Sequence, residues 1–107
     1  MLTGKQKRFL RGLGHSLKPV ITVGKGEVSE SLIAETIKAL DAHELIKVKL
    51  LETCTLDRNE VAASLAEGCS ADVAQLLGRT ILLYRTAKEP RIELPKADKR
   101  KPAGSQG

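Results

Sequence analysis

Pro19 is the only proline before position 90, and it separates two segments whose periodicities cannot belong to one element. Upstream, Leu2, Phe9, Leu10, Leu13 and Leu17 fall on one arc of a helical wheel, and Lys7, Arg8, Arg11 and His15 fall on the opposite arc. Downstream, Val20 to Val23 is a short apolar, β-branched run that reads as a buried strand. A proline ring fixes φ, removes an amide donor and biases the residue before it away from helical backbone. The chain must therefore leave a helix and enter extended structure here. Thr3 is placed to cap that helix, which is expected to reach about Leu17, with Phe9 in the core. Gly12 and Gly14 each weaken it by roughly 1 kcal/mol relative to alanine, so tertiary packing must hold it.

The same change of period recurs along the chain. Gly24-Lys25-Gly26-Glu27 is a turn, after which Ser29 is a plausible N-cap, with Val28 and Ile33 spaced as a hydrophobic staple. Leu32, Ile33, Thr36, Ile37 and Leu40 make one face of a helix ending near His43. Leu45 to Leu51 alternates Leu45, Val48 and Leu50 with Lys47 and Lys49, a strand pattern. Asp57 followed by Glu60 resembles a capping box for a third helix, carried by Val61 and Leu65 and stopped by Gly68. Ala71 to Leu77 fits either a short helix or a strand, and Thr80 to Arg85 reads as a strand. If both are strands, Gly78-Arg79 is a tight turn. The order of helix, strand, helix, strand, helix and two strands implies an α+β or α/β layer structure.

The pattern decays from Thr86, and Pro90, Pro95 and Pro102 fall beyond it. Residues 1–95 are therefore expected to form one domain, and residues 96–107 a disordered basic tail. Charge is segregated along the chain. Residues 1–25 hold six basic side chains and no acid, residues 26–95 hold eight basic against twelve acidic, and residues 96–107 hold four against one. Such an asymmetry can orient the chain against a polyanion.

Several functional classes are disfavoured. No apolar run approaches the ~20 residues of a membrane span, and the N-terminus has no uninterrupted apolar stretch of a secretory signal. Cys54 and Cys69 are too few for a disulfide framework or a zinc site and read as reduced, partly buried thiols. No spacing of His15, His43 and the cysteines gathers metal ligands, and no group is evident that would orient a Cys54 nucleophile with His43. No metal, cofactor or catalytic residue is expected.

Two constellations remain. The first is the all-basic helix face of Lys7, Arg8, Arg11 and His15, where an ordinary solvated face would mix signs. The second is the turn Gly24-Lys25-Gly26, set between a strand and a helix N-terminus. Glycines allow close backbone approach, and a helix N-terminus favours an anion. The competing reading is a turn that needs glycines only for its geometry. The spacing matches neither a P-loop nor a dinucleotide fingerprint. Lys18 and Lys25 flank the first strand and could extend the patch. Aromatic residues are 2% of the chain, so stacking platforms for single-stranded bases are not supplied. If the ligand is RNA, contacts to phosphates, 2′-hydroxyls and overall shape are expected instead, and folded, partly duplex RNA is then the natural form.

Leu2-Thr3-Gly4-Lys5-Gln6-Lys7, Leu17-Lys18-Pro19-Val20, the glycine turn after Val23, His43-Glu44-Leu45-Ile46-Lys47-Val48-Lys49 and Gly78-Arg79-Thr80-Ile81-Leu82-Leu83-Tyr84-Arg85 occur in this order. Together they resemble the YhbY family, the bacterial single-domain form of the chloroplast RNA splicing and ribosome maturation (CRM) domain. The resemblance implies an α+β fold with a four-stranded mixed sheet and three helices, similar to the C-terminal domain of translation initiation factor three, and it makes Val73 to Leu77 a strand. It implies RNA binding, association with precursors of the large ribosomal subunit and a part in their maturation. It also implies a G-x-x-G loop used for RNA, in which Glu27 here stands where the last glycine is expected.

The expected protein is thus a cytoplasmic, monomeric RNA-binding protein acting by docking, with no membrane or small-molecule substrate. Lys7, Arg8, Arg11, Lys18, Gly24, Lys25, Gly26 and Arg79 are the expected RNA contacts, with ribosomal RNA as partner. The alternative is a protein-interaction module whose basic face meets an acidic protein.

Overall fold

The computed structural model describes residues 2–24, 28–86, 92 and 94. Helices span Gly4–Gly14 (α1), Glu30–His43 (α2) and Arg58–Cys69 (α3), and strands span Pro19–Val23 (β1), Leu45–Leu50 (β2), Asp72–Leu77 (β3) and Thr80–Tyr84 (β4). The strands form one mixed sheet in the order β1-β2-β4-β3. β1 runs parallel to β2, while β2 pairs antiparallel with β4, and β4 with β3. The segment after Ala71, open between helix and strand on its periodicity and a strand by the resemblance, is β3. Gly78 and Arg79 join it to β4, with positive φ (59°) at the glycine, as the first position of a type II′ hairpin requires.

The alternation of side chains along each strand divides the interior in two. Ile21, Val23, Ile46, Val48, Leu50, Ile81 and Leu83 face α2 and α3, meeting Leu40, Val61, Ala62, Leu65 and Cys69. Leu45, Ala74, Leu82 and Tyr84 face the other way, where Leu2 and Leu10 cover them. Adjacent residues in β4 thus serve opposite layers. Glu44, only 1% exposed, has φ 62° in the connection between α2 and β2. Its carboxylate accepts the Ile92 amide at 3.0 Å, and Ile92 and Leu94 pack against the α1-side core.

Three local expectations need correction. α1 ends at Gly14, with His15 as its C-cap, three residues short of Leu17. Phe9 is 39% exposed and lies outside the core, as does Leu13. The exposure of these two side chains follows from Gly14: a Cβ there would lie 3.0 Å from both Leu82 methyls, so the helix meets the sheet along the line of Leu10 and Gly14. That line leaves Phe9 and Leu13 at the rim. Finally, Gly68 does not stop α3. The helix continues through Cys69, and Ser70 closes it in the left-handed conformation. Gly68 instead admits α2, because a Cβ would sit 2.7 Å from Ile33 Cδ1.

Capping follows the sequence in position more than in form. Ser29 caps α2 by accepting from Leu32 at 3.1 Å. Asp57 caps α3 through the Asn59 amide, the N2 position, where a capping box would use N3. The reciprocal box occurs at Thr3 and Gln6. The tail of residues 96–107 lies outside the described residues.

Candidate nucleic-acid interface

Helix α1 is fixed at both ends before it presents any charge. Thr3 Oγ1 accepts the Gln6 amide at 3.1 Å, and Gln6 Oε1 accepts the Thr3 amide at 3.0 Å. Such a reciprocal cap satisfies two of the amides that a helix N-terminus leaves unpaired. At the other end Gly14 seats the helix on Leu82. Lys7, Arg8, Arg11 and His15 are all exposed, so the predicted basic face is displayed on a rigidly seated element.

The remaining candidates divide into two groups. Lys18 is exposed just before β1 and lines a groove of about 470 Å³ with Leu13, Leu17, Val20 and His43. Gly24 and Arg79 lie together at the far end of the sheet. Leu51 donates its amide to the Val23 carbonyl at 2.9 Å, holding the end of β1 against the chain that leaves β2. Arg79 Nε donates to the Leu50 carbonyl at 3.2 Å, and its Nη2 donates to that of Leu51. Arg79 therefore braces this corner, whatever else it contacts.

Gly24 has no left-handed φ, and a Cβ would make only ordinary contacts, at 3.5 Å to Leu51 Cδ1 and 3.7 Å to Thr53 Oγ1. The fold does not require glycine at this position. Lys25, Gly26 and Glu27 lie outside the described residues.

Sequence reasoning passed over two cations. Lys47 and Lys49 were the polar half of an alternating strand, and alternation does show that they share one face. It does not show which helix they share that face with. The structure places Lys47 in a small groove beside Arg11 of α1 and its C-cap His15, and Lys49 in a second groove beside Arg79.

The other ionisable groups do different work. Arg85 pairs with Asp41 and donates to the Cys69 carbonyl at 3.0 Å. Burial pushes the Cys69 thiol above its ordinary range, opposed by the Arg85 charge. Cys54 and Cys69 are both buried free thiols. Among the described residues no three His, Cys, Asp or Glu side chains are grouped to hold a metal, and no helix is long and apolar enough to cross a membrane.

Residues 2–85 match the family described as the CRS1/YhbY (CRM) domain. The chain is 50% identical over 96 residues to the probable RNA-binding protein YqeI of Bacillus subtilis, with 89% of this chain and 100% of that protein covered. It is 37% identical over 95 residues to an RNA-binding protein of Haemophilus influenzae, covering 89% of this chain and 96% of that protein. The solution structure of a hypothetical protein from Staphylococcus aureus superposes with a TM-score of 0.76 at 43% identity, covering 89% of this chain and all of that one.

Proposed function

The chain belongs to the CRS1/YhbY (CRM) domain family, and from that premise we propose that it binds RNA by docking, with no covalent chemistry. Its target in this reading is ribosomal RNA within precursors of the large subunit, whose maturation it assists as a cytoplasmic monomer. The observation that carries the reading is α1: a capped helix seated on the sheet, whose exposed Lys7, Arg8 and Arg11 have no acid among them. Those side chains supply phosphate contacts, and the turn beginning at Gly24 supplies backbone amides and the Lys25 charge. Lys18 and Arg79 complete the set, Arg79 in addition to its bracing role.

Neutralising phosphates releases condensed counterions, so affinity should fall steeply with salt. The test is affinity for large-subunit ribosomal RNA fragments at two salt concentrations, comparing the parent with Lys7/Arg8/Arg11→Ala and Lys25→Ala. The slope of log affinity against log salt should flatten by about one unit per lost contact, hence about three and one. Unchanged slopes in both variants, with binding of an acidic protein retained after nuclease treatment, would favour the protein-interaction alternative.

A further inference from the structure

The sheet has two edges, and they are finished differently. β1 and β3 are the outer strands. β3 begins with Asp72, and its ladder to β4 shifts register in mid-strand, between Val73 and Gln75. A charge and a central irregularity of this kind discourage the addition of a further strand. β1 is Pro19-Val20-Ile21-Thr22-Val23, with no charged residue, and its one irregularity lies at the start, between Pro19 and Ile21. From Ile21 to Val23 it pairs in register with β2, its single neighbour. The Val23 carbonyl turns inward to accept the Leu51 amide. Successive residues of a strand turn their main-chain groups to opposite sides, so the Thr22 N–H and C=O point out of the sheet. Among the described residues nothing pairs with them there.

The irregularity at the start of β1 re-aims Val20. This extra residue is half-exposed and lines, with Leu13 and the buried Leu45, the groove of about 470 Å³ beside Lys18. The polar residues of that lining are Ser16, Lys18 and His43, and among the described residues it includes no acid. The carbonyls at the end of α1 are already taken: Ser16 Oγ donates to that of Leu13 at 3.3 Å, and the Leu17 amide to that of Gly14 at 3.1 Å. The groove therefore offers a ligand apolar surface and positive charge, next to an unpaired stretch of backbone.

We propose that the outer edge of β1 and this groove form a docking site for a protein partner, an extended acidic segment that adds a strand beside β1. Strand addition draws affinity from main-chain hydrogen bonds and specificity from pockets for alternate side chains. Here Thr22 supplies the main-chain donor and acceptor, the groove takes an apolar side chain of the segment, and a neighbouring carboxylate meets Lys18 and His43. A second copy of this chain is the poorer occupant, because its own β1 carries no carboxylate to bring. The site lies on the rim of the sheet, shares only Lys18 with the surface assigned to RNA, and does not depend on that assignment.

The test titrates the full chain with a fluorescein-labelled peptide alternating valine with glutamate, and with its valine–lysine counterpart, while NMR follows hydrogen exchange at the Thr22 amide. The acidic peptide should bind on the order of tenfold more tightly than the basic one, and it should slow exchange at Thr22. Thr22→Pro deletes the outward donor and spares the ladder to β2, a substitution that an edge strand tolerates. It should weaken the acidic peptide on the order of tenfold. Val20→Ser, at an exposed position, should weaken it severalfold, and circular dichroism should show both variants folded. Should Thr22→Pro unfold, exchange at Thr22 in the parent decides alone. The proposal fails if the acidic peptide does not bind, binds no better than the basic one, or binds with Thr22 exchange unchanged. It fails also if an RNA hairpin protects Thr22 as the peptide does, since the edge then takes nucleic acid. Sedimentation showing a dimer that Thr22→Pro dissolves would give the edge to a second copy and overturn it as well.

Discussion

The two faces of the sheet bury similar residues and present opposite surfaces. Over one face lie α2 and α3, packed on an apolar layer that runs from Ile21 to Leu83. Their outer surfaces carry Glu30, Glu35, Asp41, Glu60 and Glu67 against Lys38 and Arg58. Over the other face α1 is the one helix among the described residues, with Lys5, Lys7, Arg8 and Arg11 and no acid of its own, joined by Ile92 and Leu94, and beside it β2 bears Lys47 and Lys49. Two helices seal a sheet of four strands, and one cannot. The closed face holds the fold together, while the other face leaves the Thr22 hydroxyl and the Lys49 ammonium exposed among the described residues.

Neighbouring residues in β4 separate these roles and give the largest expected effect. Leu83 is fully buried under α2 and α3, and Leu82 is 2% exposed under α1. Leu83→Ala should cost about 2–5 kcal/mol in urea unfolding and leave the RNA affinity of the folded fraction unchanged. Leu82→Ala should fall at the low end of that range, because a single helix can settle into the space, and it should weaken RNA binding. Equal effects on binding would break the division of labour.

Gly14→Val comes next. Its branches would push into the Leu82 methyls and lift α1, costing about 1–3 kcal/mol, with weaker RNA binding than its stability predicts. A thermal melt beside an RNA titration checks both parts.

The smallest effect concerns pH and belongs to the closed face. Burial raises the Cys69 thiol in the folded protein. Its stabilising contribution is therefore complete below the unfolded thiol's ordinary range and is lost as pH rises through the folded value. Denaturation midpoints of the parent should fall in the alkaline range more than those of Cys69→Ala, and the two should run parallel near neutrality. RNA affinity should not follow this titration.

Much of this arrangement is legible in the sequence, and the exceptions share a cause. Thr3, Ser29 and Asp57 mark their helix starts because capping is a local hydrogen-bond problem. The β-branched runs at Val20 and Thr80 mark strands for an equally local reason. Gly14 and Gly68 mislead because close packing is not local. A wheel drawn from apolar side chains omits the residue that sets the contact line, since glycine has none. At 100° per residue, Gly14 lies about 40° from Leu10, whereas Phe9 lies about 100° away on the other side. Counting Gly14 as a contact residue moves Phe9 to the rim.

The candidate interface follows the same rule. Lys7, Arg8 and Arg11 are legible as a charge run on one helix face. Lys47 and Lys49 join them only through the pairing of β2 with β4 and the seating of α1 on Leu82, which no short segment encodes.

The central claim, that RNA occupies the α1 face, is tested most directly by mapping amide chemical shifts of the isotope-labelled protein as a large-subunit ribosomal RNA fragment is added. The account predicts shifts concentrated in α1, at Lys47 and Lys49, and around Gly24 and Arg79, with the exposed amides of α2 and α3 unmoved. Shifts centred on α2 and α3, with α1 silent, would contradict it.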